Sequence, residues 1–127
     1  MAVVAGEGER LARVVIGAAI EVHKELGPGF LEAVYEEALS YELELRHIAF
    51  DRQRPIALFY KGHEVGAGRI DFLVDNQLVV ELKTVDTILA AHTGQVVRYL
   101  KALDLKLGLI LNFDVPRMQE GIRRVIL

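Results

Sequence analysis

The chain has 127 residues, 52% of them apolar and 26% charged, with a net charge of −3 and a pI near 5.8. That length suits one compact domain with a single core and is too short for two. The absence of cysteine excludes disulfides, zinc-thiolate centres and thiol catalysis, and the acidic balance speaks against indiscriminate nucleic-acid binding, which usually goes with a basic face.

In chain order, residues 1–8 are expected to be a flexible N-terminus. The opening from Met1 to Glu9 lacks the basic start of a signal peptide, and no apolar run approaches the roughly 20 residues that cross a bilayer. A cytoplasmic protein without membrane contact is the expectation. From Glu9 to Leu26, Leu11, Val14, Val15, Ala18, Ala19 and Val22 recur at helical spacing until Gly27-Pro28-Gly29 ends the run. A second helix is predicted from Phe30 to Arg46, with Leu31, Val34, Tyr35, Ala38, Leu39 and Leu45 on its apolar side.

Three strands follow, near Ile48–Tyr60, Glu64–Val74 and Leu78–Thr84, with Lys61-Gly62 as the first hairpin turn. Pro55 predicts that the first of them is irregular or lies at an edge. Thr87–Leu103 reads as a helix, and Lys106–Phe113 and Gly121–Leu127 as closing strands. The order α-α-β-β-β-α-β-β predicts an α/β fold: a single mixed β-sheet with flanking helices, in one domain over residues 1–127.

The second and third strands carry charges where buried strands ordinarily carry aliphatic residues: Asp71 in Arg69-Ile70-Asp71-Phe72-Leu73-Val74, and Glu81 and Lys83 in Val79-Val80-Glu81-Leu82-Lys83-Thr84. If Asp75-Asn76-Gln77 is a three-residue loop, built on a type I turn and a left-handed residue, Val74 pairs with Leu78 and Asp71 faces Glu81. A two-residue loop would put the carboxylates on opposite faces. Facing carboxylates repel, and in a partly dry site one protonates unless a cation sits between them. Their oxygen ligands suit Mg²⁺ or Mn²⁺ rather than zinc, with Lys83 placed to orient a water or offset charge on a phosphate. A cross-strand ion pair at a sheet edge is the alternative reading of the same spacing.

The Asp…Glu-x-Lys arrangement resembles the PD-(D/E)XK nuclease superfamily, and Gly29-Phe30-Leu31-Glu32-Ala33-Val34-Tyr35 resembles the motif that names its GxxExxY branch. The likeness runs from about Val14 to the C-terminus. It includes Ile16–His23, the Gly27-Pro28-Gly29 turn, Val80-Glu81-Leu82-Lys83 and Leu109-Ile110-Leu111-Asn112-Phe113. One departure is Ile70, which stands where the superfamily's name has Pro; that position shapes the backbone and not the chemistry. The resemblance implies a restriction-endonuclease-like core, a nucleic-acid substrate and Mg²⁺ (or Mn²⁺) held by Asp71, Glu81 and the Leu82 backbone carbonyl, with Lys83 assisting the attacking water.

It also implies a role for helix residues. Glu32, three residues before Tyr35 on one helical face, would be a third metal ligand or hold a metal-bound water, although a carboxylate in a first helical turn also suits the helix dipole. Tyr35 would contact a phosphate or a catalytic carboxylate, or else pack in the core with its hydroxyl satisfied. Gln95 and Tyr99, four residues apart, resemble a Q-x-x-x-Y motif that positions the nucleic-acid backbone. Arg98 is expected to point away from that face.

Arg46, Arg52, Arg54, Lys61, Arg69, Lys83 and Arg98 are the cations expected around the site, with Glu36-Glu37 and Glu42/Glu44 placed elsewhere. His23 is expected to cap or pack, and His92 to lie at the surface. No Walker-type phosphate loop, Ser-His-Asp order or zinc spacing is present. A non-catalytic nuclease-like module that binds nucleic acid or a protein partner is the competing function, and a homodimer is left open.

Overall fold

Helical spacing of apolar residues produces α1 (Glu7–Leu26) in the computed structural model, which describes residues 6–127. The helix starts two residues earlier than the apolar pattern suggests. Glu7 and Glu9 favour the positive end of its dipole, and Arg10 Nε donates to Glu7 Oε1 at 2.9 Å. Glu7 and Gly8 are therefore helical rather than part of a flexible start; residues 1–5 lie outside the described residues. Gly27 ends α1, and its φ of 71° and the 105° of Gly29 turn the chain into α2 (Glu32–Leu45).

Three strands come next: β1 (Phe50–Tyr60), β2 (His63–Val74) and β3 (Leu78–Lys83). After α3 (Ala90–Leu103) the chain adds β4 (Leu107–Asn112), a short 3₁₀ turn at Met118–Gly121 and β5 (Ile122–Ile126). The 3₁₀ turn was not evident from the sequence. The five strands form one mixed sheet in the order β1-β2-β3-β4-β5, antiparallel except for the parallel pair β3–β4 that α3 connects. β1 is an edge strand, as Pro55 predicts.

Each face of the sheet buries its own core. On one side α1 and α2 cover Phe72, Val74, Val80, Leu82, Leu109 and Leu111; on the other Val96, Tyr99 and Leu100 of α3 cover Ile70, Val79 and Ile110. Gly108 of β4 lets α3 sit close, since a Cβ there would come within 2.6 Å of Val96 Cγ1. Ile70 and Phe72, two residues apart, lie in opposite cores, which a regular strand with period two cannot achieve. The alternation breaks at Asp71, and Gln53, abreast of it on β1, has a left-handed φ of 51°. Among the described residues, no helix is long and apolar enough to cross a membrane.

Candidate active site

The β2–β3 hairpin has the register that brings the two carboxylates together. Val74 pairs with Leu78 and Phe72 with Val80, so Asp71 comes abreast of Glu81. The loop differs in type from the expected one. Asp75 and Asn76 both have positive φ (49° and 56°) and Gln77 N–H donates to Val74 O at 2.9 Å, the signature of a type I′ turn. Asp and Asn tolerate this conformation better than other side-chain-bearing residues.

The backbone ladder between β2 and β3 ends at Phe72–Val80, and side chains take over. Asp71 N–H donates to Glu81 Oε2 at 2.8 Å, and Leu82 N–H donates to Asp71 Oδ2 at 2.8 Å. Burial pushes the Glu81 carboxyl up to about 8, and the neighbouring Asp71 carboxylate adds to the effect. Asp71 is also raised, first by burial, although the Leu82 N–H partly opposes the shift. Burial, then the Asp71 charge, raises Glu32 at the start of α2. Lys83 acts in the opposite sense on all three carboxyls.

Three side chains join this group without having been expected there. Gln53 Nε2 lies 2.8 Å from Glu36 Oε1 and 3.3 Å from Asp71 Oδ1, bridging α2 to β2. Glu36 therefore belongs beside the site and not elsewhere on the surface. Its position one helical turn after Glu32 was the available sequence signal; Gln53 offered none. Asn112 is the third addition. Buried beside Lys83 in the β3–β4 register, it accepts from Val85 N–H at 3.1 Å and donates to Val85 O at 2.8 Å, which holds the chain leaving Lys83.

Tyr35 does not reach the carboxylates. It is fully buried, stacked on Phe113 at 4.5 Å, and its hydroxyl donates to Gly27 O at 2.6 Å while accepting from Phe30 N–H at 3.2 Å. The substrate-positioning expectation for Tyr35 is thereby corrected: the ring and hydroxyl are used internally, fastening the α1–α2 turn that delivers Glu32. His23 likewise packs, with Nε2 2.9 Å from Val115 O, and His92 Nδ1 accepts from Leu89 N–H at the start of α3.

Gln95 and Tyr99 are brought to one place. With Arg98 they face Leu58, Gly68 and Arg69 across a groove of about 520 Å³. Arg98 also lines this groove, exposed, with its guanidinium lying back over Gly94 of the same helix. The Tyr99 hydroxyl is raised by burial, with a smaller opposing hydrogen bond from Arg69 N–H and further raising by the Glu81 and Asp71 charges. Tyr99 thus links the groove to the carboxylates. The remaining expected cations are mostly neutralised: Arg46 pairs with Glu42, Arg52 with Glu36 and Glu37, and Arg54 with Asp51.

Residues 9–125 match the family model described as the PD-(D/E)XK nuclease superfamily. The chain belongs to that superfamily. No curated protein and no solved structure matches the chain. The mixed five-stranded sheet flanked by three helices is consistent with the restriction-endonuclease-like fold of PD-(D/E)XK proteins. Nucleases of the superfamily typically use divalent metals, and the donor chemistry here fits: two carboxylates too dry to share charge comfortably offer hard oxygens to a hard cation. Among the described residues no three acidic or histidine side chains converge tightly enough to hold an ion by themselves.

Proposed function

We propose that the chain is a metal-dependent nuclease that hydrolyses phosphodiester bonds of nucleic acid. The observation that carries the reading is the Asp71–Glu81 pair at the fork of two strands, Glu81 buried and Asp71 half-buried, with Lys83 two residues further along β3. Buried charges of one sign without a structural ion pair need a functional reason. The spacing of Gly29, Glu32 and Tyr35 supports assignment to the GxxExxY branch.

Asp71, Glu81 and the Leu82 backbone carbonyl would hold Mg²⁺ or Mn²⁺, and Glu32 would join them or hold a bound water. When bound, such an ion lowers the pKa of its water and offsets negative charge on phosphate. The Lys83 ammonium orients the attacking water and stabilises charge growing on the phosphoryl oxygens. The water oxygen forms a bond to phosphorus and gives its proton to solvent as the bond to the 3′ oxygen breaks and that oxygen takes a proton from solvent, which leaves a 5′-phosphate and a 3′-hydroxyl. Gln95 and Tyr99 hold the backbone on the groove side.

The test is cleavage of oligonucleotides by the purified chain with Mg²⁺ or Mn²⁺, set against chelator. Asp71→Ala and Lys83→Ala are expected to abolish cleavage, a loss of about 10²-fold or more, while circular dichroism stays unchanged. Equal cleavage by variants and parent would trace the activity to a contaminant. The neutralisation of Arg46, Arg52 and Arg54 favours the competing reading, a non-catalytic binding module. Calorimetric titration separates the two, since a module of that kind has no need to bind either ion.

A further inference from the structure

β1 and β2 run on well beyond the rest of the sheet. β3 pairs only with Phe72–Val74 of β2, whereas β1 pairs with β2 as far as Tyr60–His63, so the outer part of this hairpin is a free two-stranded ribbon. Lys61 and Gly62, with φ of 51° and 80°, close it in the tight turn that the sequence predicts. The tip carries Phe59 and Tyr60, 63% and 61% exposed, with Lys61 Nζ 5.3 Å from the Tyr60 ring centroid. Phe59 and Tyr60, successive residues of one strand and so on opposite faces of the ribbon, stand in water with no packing role to explain them.

Charge on the ribbon runs against the rest of the chain. With Arg54 paired to Asp51, residues 55–69 hold Lys61 and Arg69 against Glu64 alone, a net of +1 in a chain whose net is −3. The base of the ribbon opens into the groove of Leu58, Arg69, Arg98 and Tyr99, and Tyr99 in turn feels the charges of Asp71 and Glu81. Arg69 and Arg98 make no ion pair with a described carboxylate. Cations and aromatic rings therefore occur from Arg69, two residues before Asp71 on β2, to the ribbon tip, about 26 Å over the eight steps from Asp71 to His63. Pairing of this edge with a second sheet is disfavoured, because Pro55 and the register shift at Leu58/Phe59 interrupt it.

We infer that the β1–β2 ribbon binds the unpaired nucleotides of a single strand, stacking bases on Phe59 and Tyr60 while Lys61, Arg69 and Arg98 contact phosphates. Stacking needs an exposed base face, which a duplex hides within its own stack, so the ribbon selects single-stranded nucleic acid. The inference rests on the nuclease reading for its direction toward the carboxylates, and its test is binding rather than cleavage.

Fluorescence anisotropy with chelator present measures the affinity of the full chain for an unpaired oligodeoxynucleotide and an unpaired oligoribonucleotide of about 12 nucleotides, and for a duplex of the same sequence. The expected result is tighter binding of an unpaired strand than of duplex, and a loss of roughly fivefold or more for Phe59→Ala and for Tyr60→Ala on that strand. Loss in either the deoxy or the ribo arm supports the proposal and names the sugar. Both rings lie at the surface, so thermal melting should be unchanged. Binding of the unpaired strands by the doubly substituted chain as tightly as by the parent, a preference of the parent for duplex, or no binding at all would each overturn it. Binding without metal-dependent cleavage would overturn the nuclease reading and leave this one standing.

Discussion

Asp71 and Glu81 each bond the strand that carries the other: Glu81 Oε2 accepts the Asp71 N–H, and Asp71 Oδ2 accepts the N–H of Leu82, the residue after Glu81. The backbone ladder stops just before this point, so the carboxylates replace the hydrogen bonds that a regular hairpin would make. The same contacts make the fork sensitive to protonation.

Stability of the metal-free protein should fall as pH rises through the Glu81 range. The Glu81 pKa is about 8 folded against 4.5 for the free side chain, so the folded state binds the extra proton between those values. The stabilisation is therefore fully present below about pH 4.5 and is lost as pH climbs through 8, a change on the order of 5 kcal/mol. Urea melts in chelator at several pH values check it. In Glu81→Gln, which still accepts the Asp71 N–H, this part of the pH dependence should vanish.

Gln53→Ala should weaken cleavage without abolishing it. The Gln53 amide orients Asp71 and Glu36 from a residue that has no place for a reacting atom, and loss of such supporting contacts lowers metal affinity or rate by about 10- to 100-fold. The informative measurement is the Mn²⁺ concentration dependence of cleavage. A shift in the metal midpoint larger than the fall in the saturated rate identifies a positioning role.

Gly68→Ala should damage the groove. A Cβ at Gly68 would lie 2.8 Å from both Cε1 and the hydroxyl of Tyr99, which is too close for either to stay in place. Displacing a buried ring should destabilise the fold by about 1–3 kcal/mol. Thermal melts together with KM for an oligonucleotide substrate read both effects, with KM rising more than kcat falls.

Tyr35→Phe should lower stability by about 1–3 kcal/mol, because the Gly27 carbonyl and Phe30 N–H lose a buried partner. Cleavage per folded molecule at low temperature should stay close to that of the parent. A large loss of rate at full folding would instead mean that the α1–α2 turn controls the placement of Glu32.

Much of the fold is legible in the chain because its signals are local. Apolar spacing locates three helices, Gly27 and Gly29 mark the first turn, Lys61-Gly62 marks the tip of the ribbon, and Pro55 marks an edge strand. The parity of the Asp75-Asn76-Gln77 loop was enough to bring Asp71 abreast of Glu81, although the turn itself is of a different type. Glu36 and Gln53 escaped notice because their meeting depends on where α2 crosses β1, and on a left-handed Gln53 that no residue preference announces.

The sequence by itself determined the order of elements and the charges that stand out of place on the central hairpin, and narrowed its register to two loop lengths, since each follows from periodicity and turn residues over a few neighbouring positions. Only the tertiary structure decided what surrounds those charges. Tyr35 turned inward onto Phe113 and Gly27, Arg98 came to line one groove with Arg69, and Gln53 joined α2 to Asp71. Such choices depend on contacts between elements distant in the chain, where burial and hydrogen-bond partners, and not local preference, select the direction of a side chain.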